Sequence, residues 1–387
     1  MEPIVYLDNN ATTPLAPEVL EAMLPYLRER YGNPSSIHRL GRQSHEALAH
    51  SRRVVADFLG ANPDEIVFTA GGTEADNLAI VGTSVAAGFG ERRHLVASNI
   101  EHHAVLAALR HLETLGWEVT SVSADASGRL DPERLASALR SDTLLVSVMA
   151  ANNETGVLQP IAELASAAHG VGAWFHTDAV QACGKIPVDV RAWGVDLLSL
   201  SAHKFYGPNG VGALYIKSGV PCTPICYGGG QERALRPGTE NVAAIVGLAE
   251  ACRQAQARLG TEADELARMR DALEAHVVER ISGSHVNGVG APRTPNTVNL
   301  RFDGIDGREL VAALDDAGFG VSTGAACDAG ATGSHVLIGM GLDRDAVQGS
   351  IRVSLGRYTV EEEVRSFLVA LERAVESVRT HRHFIEA

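Results

Sequence analysis

Aromatic residues make up only 5% of this 387-residue chain, and cysteine occurs five times. The thiols at Cys183, Cys222, Cys226, Cys252 and Cys327 are odd in number and scattered, which excludes a disulfide framework of the secreted kind. Cys222 and Cys226 have loose metal-like spacing but no second ligand pair beside them, so no metal site is expected. No apolar run reaches membrane-spanning length and no signal-peptide pattern opens the chain, so a cytoplasmic protein without a membrane partner is expected. Positive charge is also short. The 33 basic side chains against 47 acidic ones leave a net charge of -14, which argues against nucleic acid as a partner. Internal repeats and low-complexity linkers are missing as well. What remains is 45% apolar and 21% charged, the composition of a soluble globular enzyme.

Short apolar runs at 65–69, 94–98, 117–122, 143–148, 174–178, 195–200 and 211–216 read as strands. Helical spacing appears at 17–30, 45–59, 132–139 and 161–169, and a helix start is expected directly after Asp178. This alternation predicts an α/β fold: a large domain at 15–260 with a mostly parallel sheet flanked by helices. A long helical pattern from Val242 past Leu259 leads to a smaller α+β domain, formed by 1–14 and 261–387. There, 295–302, 319–322 and 350–355 read as strands, and 307–314, 333–340 and the stretch from 359 read as helices.

Polar clusters follow the strands, where open α/β sheets bind ligands. Lys204 falls on a short connection between two strands, within Ser201-Ala202-His203-Lys204-Phe205 and before the turn signal Gly207-Pro208-Asn209-Gly210. A lysine desolvated in such a place is a nucleophile for an aldehyde. Asp178 ends an apolar run, where a carboxylate is costly without a positive partner. The protonated pyridine nitrogen of pyridoxal phosphate is such a partner, and the cofactor needs that proton to act as an electron sink. A cap on the following helix is the plainer reading of Asp178 alone. At Gly71-Gly72-Thr73, a strand, two glycines, a hydroxyl and a helix start form an arrangement that can hold a phosphate.

With Tyr6-Leu7-Asp8-Asn9-Asn10-Ala11-Thr12-Thr13 near one end and Ser350-Ile351-Arg352-Val353-Ser354-Leu355-Gly356-Arg357 near the other, these motifs resemble the class V (NifS-like) branch of fold-type I pyridoxal-phosphate enzymes. Within that branch the chain most resembles the cysteine desulfurases, over almost its whole length. The resemblance implies pyridoxal 5'-phosphate on Lys204, with Asp178 on the ring nitrogen and His102 over the ring. It implies a phosphate held by Gly72, Thr73, Ser201 and His203, and a ring oxygen addressed by Gln181 and Asn153. It places the substrate carboxylate on Arg352, near Asn33, with Asn153 also within reach of the substrate. It further implies a homodimer in which Thr239 reaches the partner's phosphate.

The reaction implied is L-cysteine to L-alanine, with sulfur left on Cys327 as a persulfide for an acceptor or scaffold protein. Thr323-Gly324-Ala325-Ala326-Cys327 resembles the family's cysteine loop, and its small residues suit an exposed nucleophile. Two departures stand out. Asp328 replaces a small hydroxyl residue and is expected to raise the thiol pKa. The loop to Ser334-His335 is one residue shorter than in the longer-loop group. A selenocysteine lyase or another class V enzyme would share every cofactor residue, and only the Cys327 loop speaks against it.

Overall fold

The structure, a computed structural model, describes residues 4–88, 90, 92–324 and 333–385. Cys327 and Asp328 lie outside the described residues. Among the described residues, twelve strands follow one another: β1 (Val5–Tyr6), β2 (Ile66–Thr69), β3 (His94–Ser98), β4 (Glu118–Val122), β5 (Thr143–Ser147), β6 (Trp174–Asp178), β7 (Leu197–Ser201), β8 (Gly212–Ile216), β9 (Ser284–Val286), β10 (Thr297–Phe302), β11 (Phe319–Gly320) and β12 (Ser350–Ser354).

Seven of them form one sheet in the order β2-β8-β7-β6-β5-β3-β4. Only β8 runs against the others, antiparallel to both β7 and β2. The strands are apolar on both sides because both sides are covered. Ile66, Phe68, Val146, Leu198 and Leu200 pack into one core with Val55, Leu164 and Leu248 from helices. Their neighbours Val67, Leu145, Leu197 and Leu214 face the opposite core, against Val105, Leu109 and Leu112. The edge strand β4 is mostly solvent-facing, with Glu118 and Thr120 in place of apolar residues, which blunts an otherwise open edge.

A smaller part holds β10 between β9 and β12, all antiparallel. It has its own core, in which Leu300, Phe302, Leu310, Ile351, Val353, Phe367 and Leu371 meet. The N-terminal strand β1 joins this part by pairing with β11, and Leu7 enters its core. The 39-residue helix Val242–Arg280 runs through both cores. Ile245 and Leu248 are buried in the first, and Leu273 and Val277 in the second.

Two expectations need correction. The helix expected after Asp178 is not formed. Ala179 O accepts from the amides of Ala182 and Cys183, closing successive turns. Gly184 then adopts φ 77° against Phe205, where a Cβ would come within 2.5 Å of the Phe205 Cβ. The second helix begins at Arg39 rather than at 45, with His38 Nδ1 accepting from Gly41 N. Its first turn is polar and contains a glycine, so hydrophobic periodicity is silent there.

Candidate active site

The C-terminal ends of β5, β6 and β7 and the helix start after β2 open onto one cavity of about 330 Å³. The smaller part closes it with Gly324, His335 and Arg352, and the N-terminal segment adds Asn10 and Ala11. Lys204 ends a single 3-10 turn between β7 and β8, at the point where the sheet reverses. Its Nζ donates to the carbonyls of Asn10 at 2.7 Å and Ala11 at 2.8 Å.

Asp178 is the last residue of β6, and its Oδ1 accepts from Val180 N at 2.9 Å. That is the backbone bond of an Asx turn, so the capping chemistry is present without the helix. Burial pushes its carboxyl up to about 6, against the pull of the Val180 amide and of Lys204. Gly71 takes φ 153°, a conformation open to glycine alone, and so turns the chain from β2 into the helix Gly72–Asn77. Gly72 and Thr73 then face the cavity with the unpaired amides of a first helical turn. Glu74 secures the turn by accepting from Ala70 N and holding Arg236 at 2.9 Å.

His102 caps the helix His103–Thr114, with Nδ1 accepting from Ala104 N at 3.1 Å. That bond puts the proton of the neutral ring on Nε2. Burial, then the charge of Lys204, push this imidazole down to about 4. His203 is held by Thr12 Oγ1 at 3.0 Å and is pushed down to about 4 for the same two reasons. Arg352 on β12 is 3% exposed. Its Nη2 donates to Asp8 at 2.6 Å and its Nη1 to Asn153 O at 3.0 Å, while Nε has no hydrogen-bond partner among the described residues. An ion pair is therefore present, but a buried one, and Asp8 already occupies part of the guanidinium fork.

Gly72, Thr73, His102, Asn153, Asp178, Gln181, Ser201, His203, Lys204 and Arg352 thus come together around one cavity. Asn33 and Thr239 do not line it. Asn33 is exposed and its Oδ1 accepts from Ser35 N at 2.9 Å, as a turn residue does, and Thr239 is exposed. Sequence reasoning passed over three buried groups here. Asp76 lies on the inner face of the helix after Gly72, its Oδ1 3.6 Å from His176 Nε2. Burial and then the charge of Asp178 hold its carboxyl well above the usual range. Lys185 reaches Gln181 from behind. Glu101 is fully buried, and its Oε1 accepts from Ser98 Oγ and Met149 N. The available signals were a carboxylate among Ala75, Leu78 and Ala79 and the scarcity of lysine.

Glu101 carries a pH prediction. Burial pushes its carboxyl from 4.5 up to about 8, so the folded chain keeps a proton that the unfolded chain releases. Its stabilising contribution is full below about 4.5 and is lost as pH rises toward about 8. Glu101→Gln, which stays neutral, should lack this component. Denaturant midpoints measured from pH 4 to 9 should diverge between the two proteins, and parallel curves would refute the assignment.

The family description aminotransferase class-V matches residues 5–367. A cysteine desulfurase IscS of Dictyoglomus turgidum is 47% identical over 377 residues, covering 97% of this chain and 95% of that one. A cysteine desulfurase of Cereibacter sphaeroides is 48% identical over 378 residues, covering 97% and 96%. Among solved structures, a NifS-like protein superposes with a TM-score of 0.91 at 39% identity, covering 97% of this chain and 100% of that one. The structure described as SspA in complex with cysteine gives 0.81 at 35% identity, covering 92% and 99%. The doubly covered sheet agrees with the family match over most of the chain, and the chain belongs to the class-V aminotransferases. Within the family it is a member of the NifS/IscS-like cysteine desulfurases.

Proposed function

We propose that the protein converts L-cysteine to L-alanine with pyridoxal 5'-phosphate on Lys204, leaving the sulfur on Cys327 for an acceptor or scaffold protein. Iron–sulfur cluster assembly and other sulfur trafficking are both served by such a product. The observation that carries this reading is the convergence of Lys204, Asp178 and Arg352 on one cavity. The cavity suits the cofactor in size and in chemistry. It offers a buried carboxyl to a cationic ring nitrogen, the amides after Gly71 and the Ser201 hydroxyl to a phosphate, and a buried Arg352 Nε without a partner among the described residues to a carboxylate.

Pyridoxal phosphate, when bound, supplies an electron sink that makes the substrate α-proton removable. The protein's own residues do the rest. Lys204 would be the amine that holds the aldehyde and the base that moves the α-proton. Asp178 would keep the ring nitrogen protonated, and His102, a neutral imidazole, would face the ring. Thr73, Ser201 and His203 would hold the phosphate, and Gln181 and Asn153 would address the ring oxygen. Arg352 would orient the substrate carboxylate. The Cys327 thiolate takes the substrate sulfur: the carbon–sulfur bond breaks, a sulfur–sulfur bond forms, and alanine leaves.

The active form we infer is a homodimer in which Thr239, exposed on its own subunit, enters the partner's site. We place it in the cytoplasm, which the free thiols of Cys183, Cys222, Cys226 and Cys252 suit. The test is mass spectrometry of the cofactor-loaded protein after incubation with cysteine. The peptide holding Cys327 should gain one sulfur atom while alanine appears in equal amount. An unmodified peptide beside continuing alanine production would overturn the role of Cys327.

A further inference from the structure

The whole chain contains three lysines, Lys185, Lys204 and Lys217, among 33 basic residues. Lys217 is half exposed and pairs with Asp196 at 3.0 Å. The other two belong to the site. Lys185 is 8% exposed, and its Nζ donates to Gln181 Oε1. No carboxylate pairs with it among the described residues. The titratable groups around it are Lys204, Arg352, Cys183 and His203, with Tyr206 and Glu262 across a cavity of about 20 Å³ that it shares with Lys204. Glu262 is itself engaged by Arg357 at 2.9 Å.

A buried cation without a counter-charge is expensive, and an apolar side chain would fill the same space at lower cost. Its retention calls for a function. An ammonium has donors only, so the Gln181 atom against it must be the carbonyl oxygen. The amide nitrogen is thereby turned the other way, where it donates to Asn10 O at 2.9 Å. That same carbonyl receives Lys204 Nζ at 2.7 Å. One hydrogen-bonded chain, Lys185–Gln181–Asn10–Lys204, joins the second lysine to the first. Burial pushes Lys185 down to about 7, so below that pH it is the donor-only ammonium that the Gln181 oxygen meets.

We propose that Lys185 is a positioning residue that fixes the Gln181 amide so that its nitrogen, and not its oxygen, is presented to Asn10 and to the cofactor cavity. The inference rests on the cofactor reading above. It also accounts for a lysine here in a chain that otherwise relies on arginine: a compact ammonium on a flexible stem fits behind a glutamine, and a planar fork does not.

The experiment uses the cofactor-loaded protein and follows its near-visible absorbance against pH. An amide N–H aimed at the cofactor's ring oxygen favours the unprotonated chromophore, so losing that aim raises the titration midpoint. Lys185→Met should raise it by roughly one unit. Because Lys185 acts through Gln181, adding Lys185→Met to Gln181→Ala should give no further shift. Should Lys185→Met fail to fold, Lys185→Gln removes the same charge and serves the same comparison. An unmoved midpoint in the folded variant overturns the proposal, and so does an equal shift with and without Gln181. A protein that takes up no pyridoxal phosphate at all overturns the cofactor reading itself, a result visible before any variant is made.

Discussion

Lys204→Ala should abolish turnover, with a fall of at least about 10³-fold, because in the proposed function one side chain supplies both the covalent attachment and the α-proton transfer. No other lysine lines the main cavity. With three lysines in the chain, borohydride reduction of the loaded protein followed by peptide mapping gives an unambiguous answer. The adduct should sit on Lys204. An adduct on Lys185, which opens onto the neighbouring small cavity, would reverse the assignment of these two lysines. The fold should survive the substitution. The Asn10 carbonyl keeps its bond from Gln181, and Ala11 O is left without its Lys204 partner.

Cys327→Ser divides the reaction differently. Lys204, Asp178 and Arg352 lie outside the cysteine segment, so the variant should still take up cofactor and still change its absorbance when cysteine is added. Alanine formation should nevertheless fall by at least about 10³-fold, because a serine hydroxyl is far less ionised than a thiol and cannot carry a transferable sulfur. The residues flanking the segment, Gly324 on one side and His335 on the other, both line the cavity, which is where such a nucleophile is needed. Alanine and sulfide are measured together. Full alanine production by the variant would remove the assigned role of Cys327 and leave the rest of the site standing.

The parts of this site that could be read in the sequence are those in which chemistry and local pattern coincide. Lys204 interrupts two apolar strands, Asp178 ends a third, and Gly71-Gly72-Thr73 stands between a strand and a helix. Each advertises itself within a window of ten residues. The turns after Asp178 were misread because Ala179 to Cys183 has helical composition, and only the packing of Gly184 on Phe205 ends it. The Asp8–Arg352 pair was hidden for another reason: its members are 344 positions apart, and no local pattern joins them. Asp76, Glu101 and Lys185 were legible only as charges in surroundings that bury them, a cue that sharpens once the sheet faces are known. The reversed direction of β8 was marked only by the short connection before it, since a strand buried on both faces reads alike in either direction.

The carbonyls that hold Lys204 belong to Asn10 and Ala11, and the segment carrying them is anchored at the far end of the chain. Val5 and Tyr6 pair with Phe319 and Gly320, Asp8 meets Arg352, and Asn9 Nδ2 donates to Ser354 O at 3.0 Å. On the ribosome, those partners emerge more than 300 residues after the segment they anchor. The seven-stranded sheet, whose strands are complete by Ile216, can therefore assemble first, while the site stays open on one side. Contacts of such long sequence separation form late. Completion of the site, with Arg352 in place and the Asn10 and Ala11 carbonyls anchored beside Lys204, is accordingly postponed until nearly the last strand has been synthesised.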